Sequence, residues 1–155
     1  MLAFGEYTAG TPAGDDFGRA NATADQAMIS RLPMRLLGNP AGGLLAFVGH
    51  VDMIWAFSFL AADGTPSIEA FSGFISTLMN GGTVGLAMQS FRMRAARLIA
   101  ATLDFFSLDP NNPSPTPTQL VKNRLIAAKD MRNYIILGDP AVAFNLEPPE
   151  PEATT

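Results

Sequence analysis

An unbroken apolar run from Leu44 to Gly49 constrains the fold of this chain more than any other segment. It reads LLAFVG, is bounded by glycines and contains no polar side chain. A strand of this composition is typically buried on both faces, as in a parallel sheet covered by helices. The run therefore predicts a strand at the centre of a layered α/β domain.

Helical and strand-like segments alternate along the rest of the chain. Short strands are predicted at Met1 to Phe4 and from Tyr134 onward, and a long glycine-rich loop follows the first of them. Apolar residues at helical spacing predict helices over four segments: Gln26 to Leu37, Ile68 to Met79, Val84 to Phe106 with Thr83 as its cap, and Thr118 to Met131. This alternation predicts an α/β fold, a three-layer αβα sandwich with a mostly parallel sheet. Two or three strands are fewer than the about five to six of an average sheet, so we expect the domain to be incomplete.

Composition excludes several classes of function. The chain has 155 residues, no cysteine, one histidine and a formal net charge of −4. It therefore has no disulfide, no thiolate metal site and no cysteine nucleophile, and a cytoplasmic location is expected. An acidic chain is not expected to bind nucleic acid, which requires a basic surface. The clustered Arg92, Arg94 and Arg97 predict a solvated helix face, with an anion site as the alternative.

No cofactor or metal site is predicted. The glycine-rich segments lack the spacing or the lysine of a phosphate-binding loop. The only plausible metal ligands are Asp15, Asp16, His50 and Asp52, and adjacent aspartates are typical of a solvated loop. A serine triad of Ser58, His50 and Asp52 is a further alternative, but the spacing does not single it out.

The segment from Ala41 to Ala62 is apolar and long enough to cross a bilayer. However, His50 and Asp52 lie near its centre, and a central aspartate costs roughly 2.5–3.5 kcal/mol on insertion. Buried strands are therefore favoured, and a membrane span is retained as the weaker alternative.

Three segments together resemble a known family. They are EYTAGTP (Glu6 to Pro12), AFVGHVDMIWAFSF (Ala46 to Phe59) and RNYIILGDPAV (Arg132 to Val142). They resemble the second half of gingipain-like and CHAT-type domains, cysteine peptidases and relatives with the caspase-haemoglobinase fold. The resemblance implies that residues 1–146 form the carboxyl-terminal portion of a caspase-like domain. The acidic, proline-rich residues 147–155 are predicted to be a disordered tail.

The same resemblance implies that the chain is catalytically inactive. The family's cysteine nucleophile stands at the position of Glu6, and its base histidine lies on a preceding strand, a part that would come before Met1. The residue matching the later His-Val-Asp motif is His50, which is not that base. A carboxylate is a poor nucleophile toward amides without a base to assist it, so no catalytic residue is predicted.

His50, Asp52 and Trp55 follow the central strand, at the sheet edge where ligands usually bind. They are therefore candidate pocket residues. The alternative is a structural group in which His50 and Asp52 satisfy each other and nearby amides while Trp55 lies in the core. Three functions remain open: an inactive fragment or remnant of a peptidase-like domain, a non-catalytic module that binds a peptide or protein, and a small membrane-associated protein.

Overall fold

The computed structural model describes residues 1–14, 26–61, 64–107 and 118–145, with backbone alone at 104, 105 and 107. Over these ranges the strands are β1 (Gly10–Thr11), β2 (Met28–Ile29), β3 (Ala46–His50) and β4 (Tyr134–Gly138). The helices are α1 (Arg31–Leu37), α2 (Glu69–Met79), α3 (Val84–Ala87), α4 (Gln89–Ser107) and α5 (Gln119–Arg132), with a 3-10 turn at Ala56–Phe59. The predicted tail and the Asp15-Asp16 pair lie outside the described ranges.

The strands form two antiparallel pairs. β1 pairs with β2, and β3 pairs with β4 so that Ala46 lies opposite Gly138 and His50 opposite Tyr134. Parallel pairing among the described residues is confined to one isolated bridge between Leu2 and Val48. The predicted three-layer αβα sandwich with a mostly parallel sheet is therefore wrong.

The full burial of β3 has a different cause from the one that its composition suggested. All five residues of β3 are buried. Val48 belongs to an apolar cluster with Phe74 of α2 and Phe91 of α4, whereas Phe47 belongs to a second cluster that includes Ala3 and Ala9. Adjacent strand residues point to opposite faces, so β3 is covered on both sides while pairing antiparallel with β4. A strand buried on both faces is confirmed, and the sheet type inferred from it is wrong.

Helix boundaries agree with the sequence where a capping side chain defines them. The Thr83 Oγ1 accepts a hydrogen bond from the Leu86 amide at 3.2 Å, which confirms the predicted cap of α3. The predicted helix from Val84 is however divided at Met88 into α3 and α4. In the amino-terminal part of the chain, α1 begins at Arg31 rather than at the predicted Gln26, because Met28–Ile29 form β2.

The apolar segment that begins at Ala41 contains β3 and the 3-10 turn rather than one long helix. Across the described residues, no helix combines the length and the apolar content required to cross a membrane.

Candidate functional site

A buried polar cluster lies where β3 ends. His50, the last residue of β3, is fully buried, as are Asp52 just after it and Asp130 near the end of α5. The Nδ1 of His50 lies 2.7 Å from the carbonyl oxygen of Asp52. The Nε2 lies 3.1 Å from the Oδ1 of Asp130 and 3.0 Å from its carbonyl oxygen. Both ring nitrogens of the only histidine in the chain are therefore engaged within the protein.

This arrangement favours the protonated imidazole. Burial is the largest single influence on the pKa of His50 and lowers it, but the hydrogen bonds that the imidazole donates to Asp130 and Asp52, with the charge of Asp130, outweigh it. The pKa of His50 is consequently raised above its ordinary value. Nε2 faces two oxygens of Asp130, which accept from it, whereas Nδ1 faces the carbonyl oxygen of Asp52 at 2.7 Å and also the Asp52 amide at 3.2 Å.

Asp130 connects this cluster to the loop after β3. Its Oδ2 accepts a hydrogen bond from the Trp55 amide at 3.1 Å, while the amide of Val51 donates to the carbonyl of Asn133 at 3.1 Å. The Oδ1 of Asp52 accepts from the Met53 amide at 2.7 Å. The bonds to Asp130 and Asn133 hold the segment after β3 against the end of α5, and the Asp52 bond is local to that segment.

Aromatic rings complete the surroundings of the histidine. The Tyr134 ring meets the His50 ring edge-on, with centroids 4.8 Å apart, and stacks on Phe91 at 4.6 Å. Burial raises the pKa of the Tyr134 hydroxyl above its ordinary value, so this group stays neutral. Trp55 is half-buried and stacks on Phe57, with centroids 5.6 Å apart, so it belongs to the loop rather than to the core clusters.

The turn that carries Glu6 lies against the same segment. The Tyr7 amide donates to the Asp52 carbonyl at 3.2 Å, and the His50 amide donates to the Thr8 Oγ1 at 2.9 Å. Tyr7 has a φ of +54°, a conformation that non-glycine residues adopt infrequently. Glu6 itself is exposed, and its Oε1 accepts from the Ile54 amide at 3.4 Å. The structure thus brings Glu6, His50 and Asp52 into one region of the molecule.

The cluster offers little for proton transfer to a substrate. A general base needs a free nitrogen within hydrogen-bond reach of the reacting group, and both nitrogens of His50 face oxygens of Asp52 and Asp130. Ser58, the nucleophile of the triad alternative, has no exposed surface. Among the described residues, no group of three or more histidine, aspartate or glutamate side chains is placed to hold a metal ion.

The sequence analysis did not identify Asp130. A signal for it exists in the sequence, since Asp130 lies on α5 next to Met131 and one turn after Ala127, both of which are buried. A carboxylate on the buried face of a helix requires a partner, because an unpaired buried charge is very costly. The sequence does not indicate that this partner is a histidine 80 residues earlier.

Comparisons with protein-family models, curated proteins and solved structures gave no significant match to this chain. The peptidase-like resemblance therefore depends on the three segments alone.

Proposed function

We propose that this chain is a non-catalytic module that binds a protein partner, built on a peptidase-like segment that lacks its catalytic groups. The observation that carries the proposal is the state of His50. The chain has no cysteine, and its single histidine is fully buried with both ring nitrogens engaged by Asp52 and Asp130. Neither a thiolate nor an available imidazole exists to attack an amide bond.

The gingipain-like and CHAT-type resemblance fits this proposal. Its nucleophile position falls on Glu6, an exposed carboxylate whose neighbours are the backbone of the loop after β3. In this interpretation the pocket candidates His50, Asp52 and Trp55 hold the turn, the loop and α5 together. A cytoplasmic location is part of the same proposal.

Exposed apolar side chains support the binding role. A groove of about 540 Å³ is lined in part by Leu45, Ile75, Met79 and Phe144. Each of these four side chains is more than half exposed, and Leu45 reaches 69%. Contiguous apolar surface of this kind is typical of protein–protein contacts.

Two measurements test the proposal. Purified chain incubated with a broad peptide panel should give no turnover above buffer, and Glu6→Ala should behave identically. Turnover that co-purifies with the chain and disappears in Glu6→Ala would overturn the non-catalytic assignment. For binding, a partner captured on the tagged chain should re-form a monodisperse complex from purified components, and failure of every captured candidate to do so would contradict the binding role.

A further inference from the structure

A second polar region lies in an open groove, whereas the cluster around His50 is buried. This groove has a volume of about 780 Å³ and is lined mainly by residues of α2 and α4, together with Ser67, Leu86 of α3 and Arg124 of α5. Among the described residues, its lining includes three arginines, Arg94, Arg97 and Arg124, and one carboxylate, Glu69. The excess of positive charge is notable because the whole chain carries a formal net charge of −4.

Arg94 is a fixed part of the groove. Its Nη2 donates to the carbonyl oxygen of Ser58 at 2.8 Å, and its Nη1 donates to the Ser67 hydroxyl and lies 3.5 Å from the Oε2 of Glu69. The side chain is only 14% exposed. The prediction of a solvated helix face is therefore wrong for Arg94, whose guanidinium is held by α2 and the 3-10 turn.

Glu69 does not neutralise the remaining charge. The hydrogen bond from Ser67, together with the charges of Arg94 and Arg97, lowers the pKa of Glu69, so it is ionised and already directed toward Arg94. Over the described lining residues, one carboxylate facing three guanidinium groups leaves a net positive charge.

The described residues leave most of the donors of Arg97 and Arg124 unused. Arg97 lies one turn after Arg94, is exposed, and makes no hydrogen bond or ion pair with any part of the chain that the structure describes. Arg124 is half-buried, and its Nη1 makes one long contact of 3.5 Å with the carbonyl oxygen of Ala101. A guanidinium presents five N–H donors in a planar fork that fits carboxylate and phosphate oxygens.

We propose that this groove binds an acidic peptide segment of a partner protein, with anionic side chains of the peptide on Arg97 and Arg124. Apolar side chains, among them Leu86, Met93 and Leu98, share the lining and would contact apolar residues of the same peptide. A small inorganic anion would leave those apolar contacts unused, which favours a peptide. This inference rests on the proposed binding function and assigns it a surface and a partner chemistry.

Isothermal titration calorimetry with synthetic peptides tests the inference. The probes are a peptide of alternating glutamate and leucine, the same peptide with phosphoserine in place of glutamate, and a glutamine version. We expect the first two to bind, with affinity that falls as salt is added, and the glutamine version to fail. Comparison of the first two shows whether carboxylate or phosphate is preferred.

Arginine variants locate the site. Arg97→Gln and Arg124→Gln should each weaken binding of the acidic peptide at least roughly tenfold, because each variant loses a charge-assisted hydrogen bond to the peptide. Arg97→Lys keeps the charge but loses the fork, so it should retain part of the affinity. Arg92→Gln is the matched control, because Arg92 is exposed on the same helix but is absent from the groove lining.

Several results would overturn the groove assignment: no binding of either acidic peptide, equal binding of the glutamine version, or an equal loss with Arg92→Gln. A purified partner complex whose affinity is unchanged by Arg97→Gln and Arg124→Gln would also overturn the groove assignment, while leaving the module proposal intact. Peptide turnover dependent on Glu6 would remove the non-catalytic assignment while leaving the groove intact.

Discussion

The two charged regions of this molecule differ in how completely their groups are bonded within the chain. At the end of β3, His50 and Asp130 have no exposed surface, and both imidazole nitrogens face oxygens of the protein. In the groove along α4, Arg97 is exposed and pairs with none of the described residues. Burial forces polar groups to find internal partners, whereas a surface charge can remain available because water solvates it. The polar groups of the first region are therefore bonded within the chain, whereas the second region has donors that the described residues do not use.

The largest loss of stability should come from breaking the buried pair of His50 and Asp130. Asp130→Ala removes the carboxylate that faces His50 and receives the Trp55 amide, so we expect a loss of about 3–5 kcal/mol in the free energy of unfolding. Urea unfolding followed by circular dichroism measures it. Asp139→Ala is the control, since the exposed Asp139 makes one local bond to the Ala141 amide and should cost only about 1 kcal/mol. Similar losses in both variants would contradict the structural role of the cluster.

A substitution at Arg94 should have an intermediate effect on stability. Arg94 lies in the open groove but is largely buried, and it bonds to Ser67 and the Ser58 carbonyl. Arg94→Met retains much of the aliphatic volume and loses these bonds, so it should cost about 1–3 kcal/mol. Arg92→Met, at an exposed position of the same helix, should change stability by less than about 0.5 kcal/mol. If the two variants unfold at the same urea concentration, Arg94 is an ordinary surface arginine.

A smaller effect should appear as a pH dependence of stability. Because the pKa of His50 is raised in the folded state, its contribution is complete below the ordinary histidine value of about 6.5 and is lost as pH rises through the raised pKa. The Met1 amine, whose pKa is lowered by burial, works in the opposite direction. The informative quantity is therefore the difference in the free energy of unfolding between the native chain and His50→Gln, measured with urea from pH 5.5 to 9. A difference that grows with pH would contradict the ion pair.

The smallest effect should come from the open region. Arg97→Gln should leave the free energy of unfolding within about 0.5 kcal/mol of the native value, because its guanidinium bonds to none of the described residues. Thermal unfolding by calorimetry checks this. A loss above about 1 kcal/mol would mean that Arg97 stabilises the fold, and the contrast between the two regions would disappear.

Local features of the fold were predictable from the sequence, and distant pairings were not. The strand around Phe47 and the cap at Thr83 follow from neighbouring residues and were predicted. The direction of β3 depends on β4, which begins more than 80 residues later, and full burial of a strand does not by itself distinguish parallel from antiparallel pairing. The parallel sheet was therefore inferred from a property that both sheet types can produce.

In the candidate site too, residues close together in sequence were predicted and a distant partner was not. His50, Asp52 and Trp55 were selected because they follow a predicted strand. In the structure His50 is the last residue of β3, and Asp52 and Trp55 lie in the segment after it. Asp130 was missed because only apolar side chains were used to orient α5. Their helical spacing predicts that four residues face the core: Leu120, Leu125, Ala128 and Met131. Ala128 and Met131 are buried as predicted, whereas Leu120 and Leu125 are exposed and Asp130 is buried. Apolarity alone could not identify a carboxylate as an inward residue.

Trp55 gives the buried cluster an optical signal of its own. It is the only tryptophan in the chain, its amide is held by Asp130 at 3.1 Å, and its indole stacks on Phe57. Its fluorescence emission therefore originates from the loop that Asp130 fastens to α5. Any event that loosens this loop, whether protonation, mutation or contact with a partner, becomes visible in one fluorophore without an added label.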